Sequence, residues 1–219
     1  MLVTQLTISN YPVVNVFDKV ALALQFMEDY DVQHLPVENK DKYTGLISKD
    51  DLLDADESAT LAAMEFQLIK VSVLPDEHFL SALNILVNLG ITVLPVVTPQ
   101  KELQGIITQK ELLKAAAHFN GVEEPGAIIV LEMEKINFAF GELSRLVETN
   151  DASIMQLNTS IEAGTGQFLV TIKVNKMEIS DIISTFQRYD YNVRYYFGEE
   201  SYENELKENY DLLMTYLKI

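Results

Sequence analysis

Two stretches of this chain follow one pattern, 59 to 60 residues apart. Val20-Ala-Leu-Ala-Leu-Gln-Phe-Met27 matches Phe79-Leu-Ser-Ala-Leu-Asn-Ile-Leu86, with apolar residues at 20, 23, 24 and 27 and again at 79, 82, 83 and 86. That spacing is the one-sided stripe of an amphipathic helix. His34-Leu-Pro-Val37 then matches Val93-Leu-Pro-Val96, and Gly45-Leu-Ile-Ser-Lys-Asp-Asp-Leu-Leu53 matches Gly105-Ile-Ile-Thr-Gln-Lys-Glu-Leu-Leu113. The extra residue of the second copy falls in the polar stretch Thr98–Glu102, where added length costs little. Each copy reads helix, strand, polar turn, strand, helix, with hairpin connections at Asn39–Lys42 and Thr98–Glu102. Two copies are too few for a solenoid and suit a pair that buries its sheet faces against each other.

The duplicated set, apolar-Leu-Pro-Val, hairpin, then Gly-apolar-apolar-Ser/Thr-x-x-acid-Leu-Leu, resembles a tandem pair of CBS (cystathionine-β-synthase-type) modules over about residues 1–120. The expected modules are 1–60 and 61–120, followed by a breaker-rich linker at 121–126. The resemblance implies a pseudo-twofold disc with two clefts that bind adenosine-containing ligands and regulate a partner or an attached domain.

Ser48 and Asp51, and likewise Thr108 and Glu111, open predicted helices. Read from the residues alone, each pair is a capping box: an N-cap hydroxyl, with a carboxylate three residues on. The resemblance adds a second role, in which the hydroxyl meets phosphate and the acid meets ribose. On that count Ser48 and Asp51 form the more complete motif, and Glu111 departs from the family's Asp. The residue before the acid, commonly basic in the family, is Asp50 in the first copy and Lys110 in the second. His34 reads either as a half-buried strand histidine or, by the resemblance, as a residue bordering the cleft.

Net charge is −17, and the first 126 residues contain no arginine; Arg145, Arg188 and Arg194 all follow. Such a surface disfavours nucleic acid and anionic membrane. It also favours AMP, ADP, adenosine or S-adenosylmethionine over ATP as the regulatory ligand, since arginine is the usual polyphosphate clamp. The lack of cysteine excludes disulfides and thiolate chemistry. His34, His78 and His118 stand far apart, which gives no metal-ligand spacing. No phosphate loop, nucleophile elbow or catalytic triad is legible, so the chain is expected not to be an enzyme. No apolar run reaches membrane-spanning length and no signal peptide is visible, which places the expected protein in the cytoplasm.

The second half changes pattern. Strands are expected at Ala127–Met133, Ser153–Ile161, Phe168–Val174 and Asn192–Phe197. Helices are expected at Phe138–Val147, with Asn137 as N-cap, Phe140, Leu143 and Val147 on one inward face and Leu146 beside it, and at Met177–Tyr189. The order βαββαβ is that of the ferredoxin-like fold, so the chain is expected to be α+β throughout. Residues 127–198 resemble an ACT domain, and the order CBS–CBS–ACT resembles the acetoin-utilisation AcuB type of protein. The loop Glu134–Phe140 lacks the glycine of amino-acid-binding ACT domains, because Gly141 already falls in the helical pattern. A coupling or dimerising role is therefore expected there. Residues 199–219 are expected to form an amphipathic helix, with Tyr202, Leu206, Tyr210, Leu213 and Leu217 on one face. Two functions remain open at this point: a homodimeric regulatory sensor acting on a protein partner, or a ligand-free scaffold.

Overall fold

The structure is a computed structural model that describes residues 1–199. The expected tail helix lies outside the described residues. The described residues divide into two compact units, 1–117 and 118–199.

The first unit contains both repeats. Repeat one runs β1 (Val14–Asn15), α1 (Val20–Asp29), β2 (His34–Asn39), β3 (Lys42–Ser48) and α2 (Lys49–Leu53). Repeat two runs α3 (Phe79–Leu89), β4 (Val93–Val97), β5 (Leu103–Thr108) and α4 (Gln109–Phe119). Both hairpins are antiparallel, pairing Leu35 with Ile47 and Leu94 with Ile107. Lys40 and Asp41 both take positive φ, 51° and 60°, the two-residue turn that matches strand twist. The helical stripe is inward as the spacing predicts: Val20, Ala23 and Met27 are buried in one copy, and Phe79, Ala82 and Leu86 in the other.

The repeats are crossed. The segment leading into repeat one pairs with repeat two, where Ile8 and Ile106 exchange N–H···O bonds of 2.8 and 2.9 Å. The segment leading into repeat two pairs with repeat one, where Ile69 and Leu46 exchange bonds of 2.8 and 3.0 Å. A second reciprocal pair lies at the helix starts: Phe79 N–H donates to the Met1 carbonyl, and Val20 N–H to that of Ala59. The cores follow suit. Leu61, Met64 and Leu68 pack with the side chains of repeat one, and Val3 with those of repeat two. Each repeat therefore completes its core with the other's leading segment.

This crossing explains the glycine that opens each motif. A Cβ on Gly45 would lie 2.7 Å from Cβ of Leu68, and one on Gly105 would lie 2.4 Å from the Ile8 carbonyl oxygen. Gly105 also sits at φ +148°, which side-chain-bearing residues rarely adopt.

The second unit runs β6 (Ile128–Met133), α5 (Phe140–Glu148), β7 (Ile154–Ile161), β8 (Phe168–Val174), α6 (Ser180–Arg188) and β9 (Asn192–Phe197). Its four-stranded sheet has the order β7-β8-β6-β9, with every neighbouring pair antiparallel. Leu143, Leu146, Val147, Ile182, Ile183 and Phe186 from the two helices pack with Ile129, Leu131, Val170 and Ile172 from the sheet. Two sequence expectations fail here. Asn137 lies in a short 3₁₀ turn, Lys135–Asn137, and the N-cap of α5 is Ala139, which has no side chain able to bond the free N–H groups. Phe140, expected inward, is 53% exposed, since the helix starts only at that residue, whereas Leu143, Leu146 and Val147 are buried as their spacing predicts.

Gly105→Ala is expected to cost about 2–3 kcal/mol in urea unfolding, since backbone of the crossed strand must move. Gly90→Ala, at a left-handed helix end with open space around it, is expected to cost about 1 kcal/mol. Equal costs at the two positions would contradict the role given to the crossing.

Candidate functional site

Each motif serine or threonine ends a strand and starts a helix, so its side chain is held at the junction. Ser48 Oγ accepts from the Asp51 N–H at 3.1 Å, and Thr108 Oγ1 from the Glu111 N–H at 3.2 Å. Both hydroxyls cap, as the spacing predicts. The carboxylates do not complete the boxes. Asp51 turns back to accept from the Ser48 hydroxyl at 2.5 Å, while Glu111 turns outward to Lys114 at 3.1 Å.

The two corners differ in what surrounds the cap. At the second motif an open cavity of about 240 Å³ is lined by Tyr11, Val32, Gln33, Thr92, Thr108 and Lys110, with Asp31, Val93 and Gln109. The lining comes from both repeats and from the first crossed segment. Three backbone features set it. Asp31 ends α1 in the left-handed conformation that Gly90 adopts at the end of α3. The Gln109 N–H donates to the Thr92 carbonyl at 3.2 Å, hanging the start of α4 from the start of β4. The Tyr11 hydroxyl donates to the His34 carbonyl at 2.8 Å, and burial pushes that phenol above its ordinary pKa.

At the first motif the matching place is crossed by His34, whose counterpart in repeat two is Val93. Its Nδ1 lies 2.8 Å from Thr92 Oγ1 and accepts a longer bond, 3.5 Å, from the Thr92 N–H. An N–H can only donate, so in the tautomer that satisfies both contacts Nδ1 carries no proton and the Thr92 hydroxyl is the donor. Burial holds the imidazole below its ordinary pKa, against the carboxylates of Asp50 and Asp51, which pull it up.

The structure thus brings Thr108 to an open cavity, ties Ser48 to Asp51, points Glu111 at Lys114, and places His34 across the pair. Sequence reasoning missed Tyr11, Val32, Gln33 and Thr92. Tyr11 precedes the repeat pattern, and Thr92 stands just before the quoted strand, so neither carried a motif signal. A larger recess, about 620 Å³, lies in the second unit at Glu132–Lys135 and Thr165–Phe168. It gathers none of the motif residues, and its Glu132 already faces Arg194 at 3.9 Å. Among the described residues no group of three or more His, Asp or Glu side chains is arranged to hold a metal. Among them, too, no helix is long and apolar enough to cross a membrane.

Residues 3–58 and 69–118 match the CBS domain family. The chain carries a tandem CBS domain pair. It is similar in structure to a CBS domain pair/ACT domain protein from Thermotoga maritima, with 22% identity and a TM-score of 0.50 over 54% of this chain and 98% of that one. Two further similar structures are a CBS domain pair solved with 5′-methylthioadenosine and S-adenosylmethionine (19% identity, TM-score 0.47, 54% of this chain and 98% of that one) and the cytosolic domain of the magnesium channel MgtE solved with ATP (26% identity, TM-score 0.45, 50% of this chain and 46% of that one).

The His34 geometry has a consequence for acid stability. The folded-state pKa lies below the unfolded value of about 6.5, so the unfolded chain takes up this proton first as pH falls. The stability His34 provides is complete above that value and is lost as pH drops through the window beneath it. The urea midpoint of the wild type is expected to fall more between pH 7.5 and 5.5 than that of His34→Gln. Parallel curves would show that His34 is not held neutral.

Proposed function

We propose that the CBS pair is a sensor that binds an adenosine-containing ligand in the cavity beside Thr108, and that the ligand-bound state is passed to the second unit. The observation that carries this reading is the cavity itself. It is open, it is built by both repeats, and it combines a capped helix start with a lysine, Lys110, at the position where the first motif has Asp50. The roles divide by chemistry. The Thr108 hydroxyl and the start of α4 suit an anionic group. Lys110 supplies a compact positive charge. Tyr11 and Val32 offer apolar surface for the flat base, whose stacking is indifferent to charge. With one lysine and no arginine, the site suits a monophosphate or an uncharged adenosine better than a triphosphate.

The same chemistry assigns the first corner a lesser part. Asp50 stands where Lys110 stands, and Ser48 and Asp51 satisfy each other, so a ligand there must break an existing bond. In this reading Ser48, Asp51 and Glu111 serve mainly to start helices, and the chain performs no catalysis. The second unit, with its split βαββαβ order, is ACT-like, and it couples or dimerises; Gly141 inside α5 leaves its β6–α5 loop without the close backbone approach an amino acid would need. In this reading the protein is a homodimer that regulates a protein partner, and a ligand shifts such an assembly only through different affinities for its two arrangements. The competing reading, a scaffold with empty clefts, predicts no response to any nucleotide.

Calorimetry with AMP, ADP, adenosine, S-adenosylmethionine and ATP tests the choice. AMP is expected to bind more tightly than ATP, and a ligand at 100 times its Kd to stabilise the fold by ~2.7 kcal/mol. Lys110→Ala is expected to weaken AMP about tenfold, the value of one charge-assisted contact, and to leave adenosine nearly unchanged. Asp51→Ala is expected to leave both intact. Melting curves unmoved by all five ligands at millimolar concentration would hand the function to the scaffold reading.

A further inference from the structure

We infer that Thr92 is a specificity-determining residue of the Thr108 cavity and that His34, on the far side of the pair, sets which way its hydroxyl points. This inference rests on the sensor reading above and adds to it the means by which the cavity selects hydrogen-bonding partners.

Thr92 lines the cavity, and its Oγ1 lies 2.8 Å from His34 Nδ1. The Thr92 N–H also points at that nitrogen, at 3.5 Å. In the neutral tautomer that carries its proton on Nε2, Nδ1 is the acceptor of both. The single hydroxyl proton of Thr92 is then committed to His34, and only lone pairs remain for a ligand. The cavity meets its ligand with an acceptor at this point, one suited to the amine or the ribose hydroxyls of adenosine. When Nδ1 takes up a proton it can only donate. The hydroxyl of Thr92 must then receive that bond, and its own proton is released to the cavity as a donor. One proton on His34 inverts the hydrogen-bonding sense of a residue lining the other repeat's site. No proton crosses the cavity and no bond to the ligand is made or broken.

The groups around His34 act on this proton uptake in opposite directions. On one side Asp50 and Asp51 at the start of α2 favour the charged ring, while burial opposes it. Ser48 stands opposite His34 in the β2–β3 ladder and is occupied with Asp51. Tyr11 bonds only the His34 carbonyl, and Lys110 belongs to the cavity that Thr92 lines. Repeat two has Val93 at the position of His34, so the device exists once in the pair and acts on one cavity.

Two measurements on the full chain test this. In the ligand-free protein, the His34 ring signal is titrated by NMR. It is expected to titrate below the ordinary histidine value of about 6.5 in the wild type, to move further down in Thr92→Val, which removes the acceptor that the charged ring needs, and to hold its wild-type position in Thr92→Ser, which keeps the hydroxyl. The second measurement is the affinity for adenosine, which has no group of its own that titrates between about pH 5.5 and 7.5. Affinity is expected to fall about threefold to tenfold toward pH 5.5 in the wild type and Thr92→Ser, and to be flat in Thr92→Val and in His34→Gln. An unmoved His34 titration in Thr92→Val overturns the inference, as does a pH slope for adenosine that survives in Thr92→Val. If adenosine fails to bind the wild type at any pH, the sensor reading falls first and the selecting role of Thr92 falls with it, a result distinct from binding without pH dependence.

Discussion

The close approach of the crossed strands is the interaction on which the first unit depends. Ile8 with Ile106 and Ile69 with Leu46 make four short backbone bonds, and each pair passes over a glycine because no Cβ fits beneath it. The consequence is energetic as well as topological. Buried leading-segment residues such as Val3 and Leu61 are core to the repeat they do not belong to. Neither repeat can close its core alone, so the pair should unfold as one cooperative body. The same crossing carries Tyr11 to the edge of the cavity and fixes it on the His34 carbonyl. Fold and site are thus products of one arrangement.

Duplication gives two corners of equal backbone and unequal chemistry. The motif junctions, the caps and the helix-hanging bonds recur: Lys49 N–H to the Gln33 carbonyl at 2.9 Å, Gln109 N–H to that of Thr92 at 3.2 Å. Side chains then break the symmetry at several matched positions. Lys110 replaces Asp50, Glu111 replaces Asp51, and Val93 replaces His34, while Gln109 replaces Lys49. The first three favour the second corner for an anion-bearing ligand: a lysine in place of an acid, a carboxylate directed away to Lys114, and no imidazole reaching across the pair. The first corner, in exchange, contributes the histidine that touches Thr92. An arrangement with twofold backbone symmetry thereby places a titratable group beside the Thr108 cavity.

Much of this was legible in the sequence because it is local. The 3.6-residue stripes marked α1 and α3, and hydroxyl-to-acid spacing marked the caps at Ser48 and Thr108. Alternation marked β8, and turn-forming residues marked the hairpin at Lys40-Asp41. What depends on contacts distant in sequence was not legible. Nothing near Ile8 announces a partner at Ile106, and the need for Gly45 and Gly105 appears only once that partner is in place. Thr92 resembles any polar residue ahead of a strand until His34, 58 positions away, reaches it. The acids of the motifs misled for a related reason. A carboxylate at N3 has several acceptable donors, and the choice of the Ser48 hydroxyl by Asp51 and of Lys114 by Glu111 is decided by neighbours. Asn137 shows the limit of propensity: a good N-cap residue was passed over because the 3₁₀ turn after β6 delays the helix to Phe140.

The central claim is that the ligand sits at one corner of the pair, beside Thr108. Mapping backbone amide shifts during a titration with AMP reads this directly. The account predicts that the amides of Asp31–Gln33, Thr92–Val93 and Thr108–Lys110 move together along a single saturating curve, with Ser48–Asp51 nearly still. Saturating shifts centred on Ser48–Asp51, with the Thr108 corner unmoved, would contradict it.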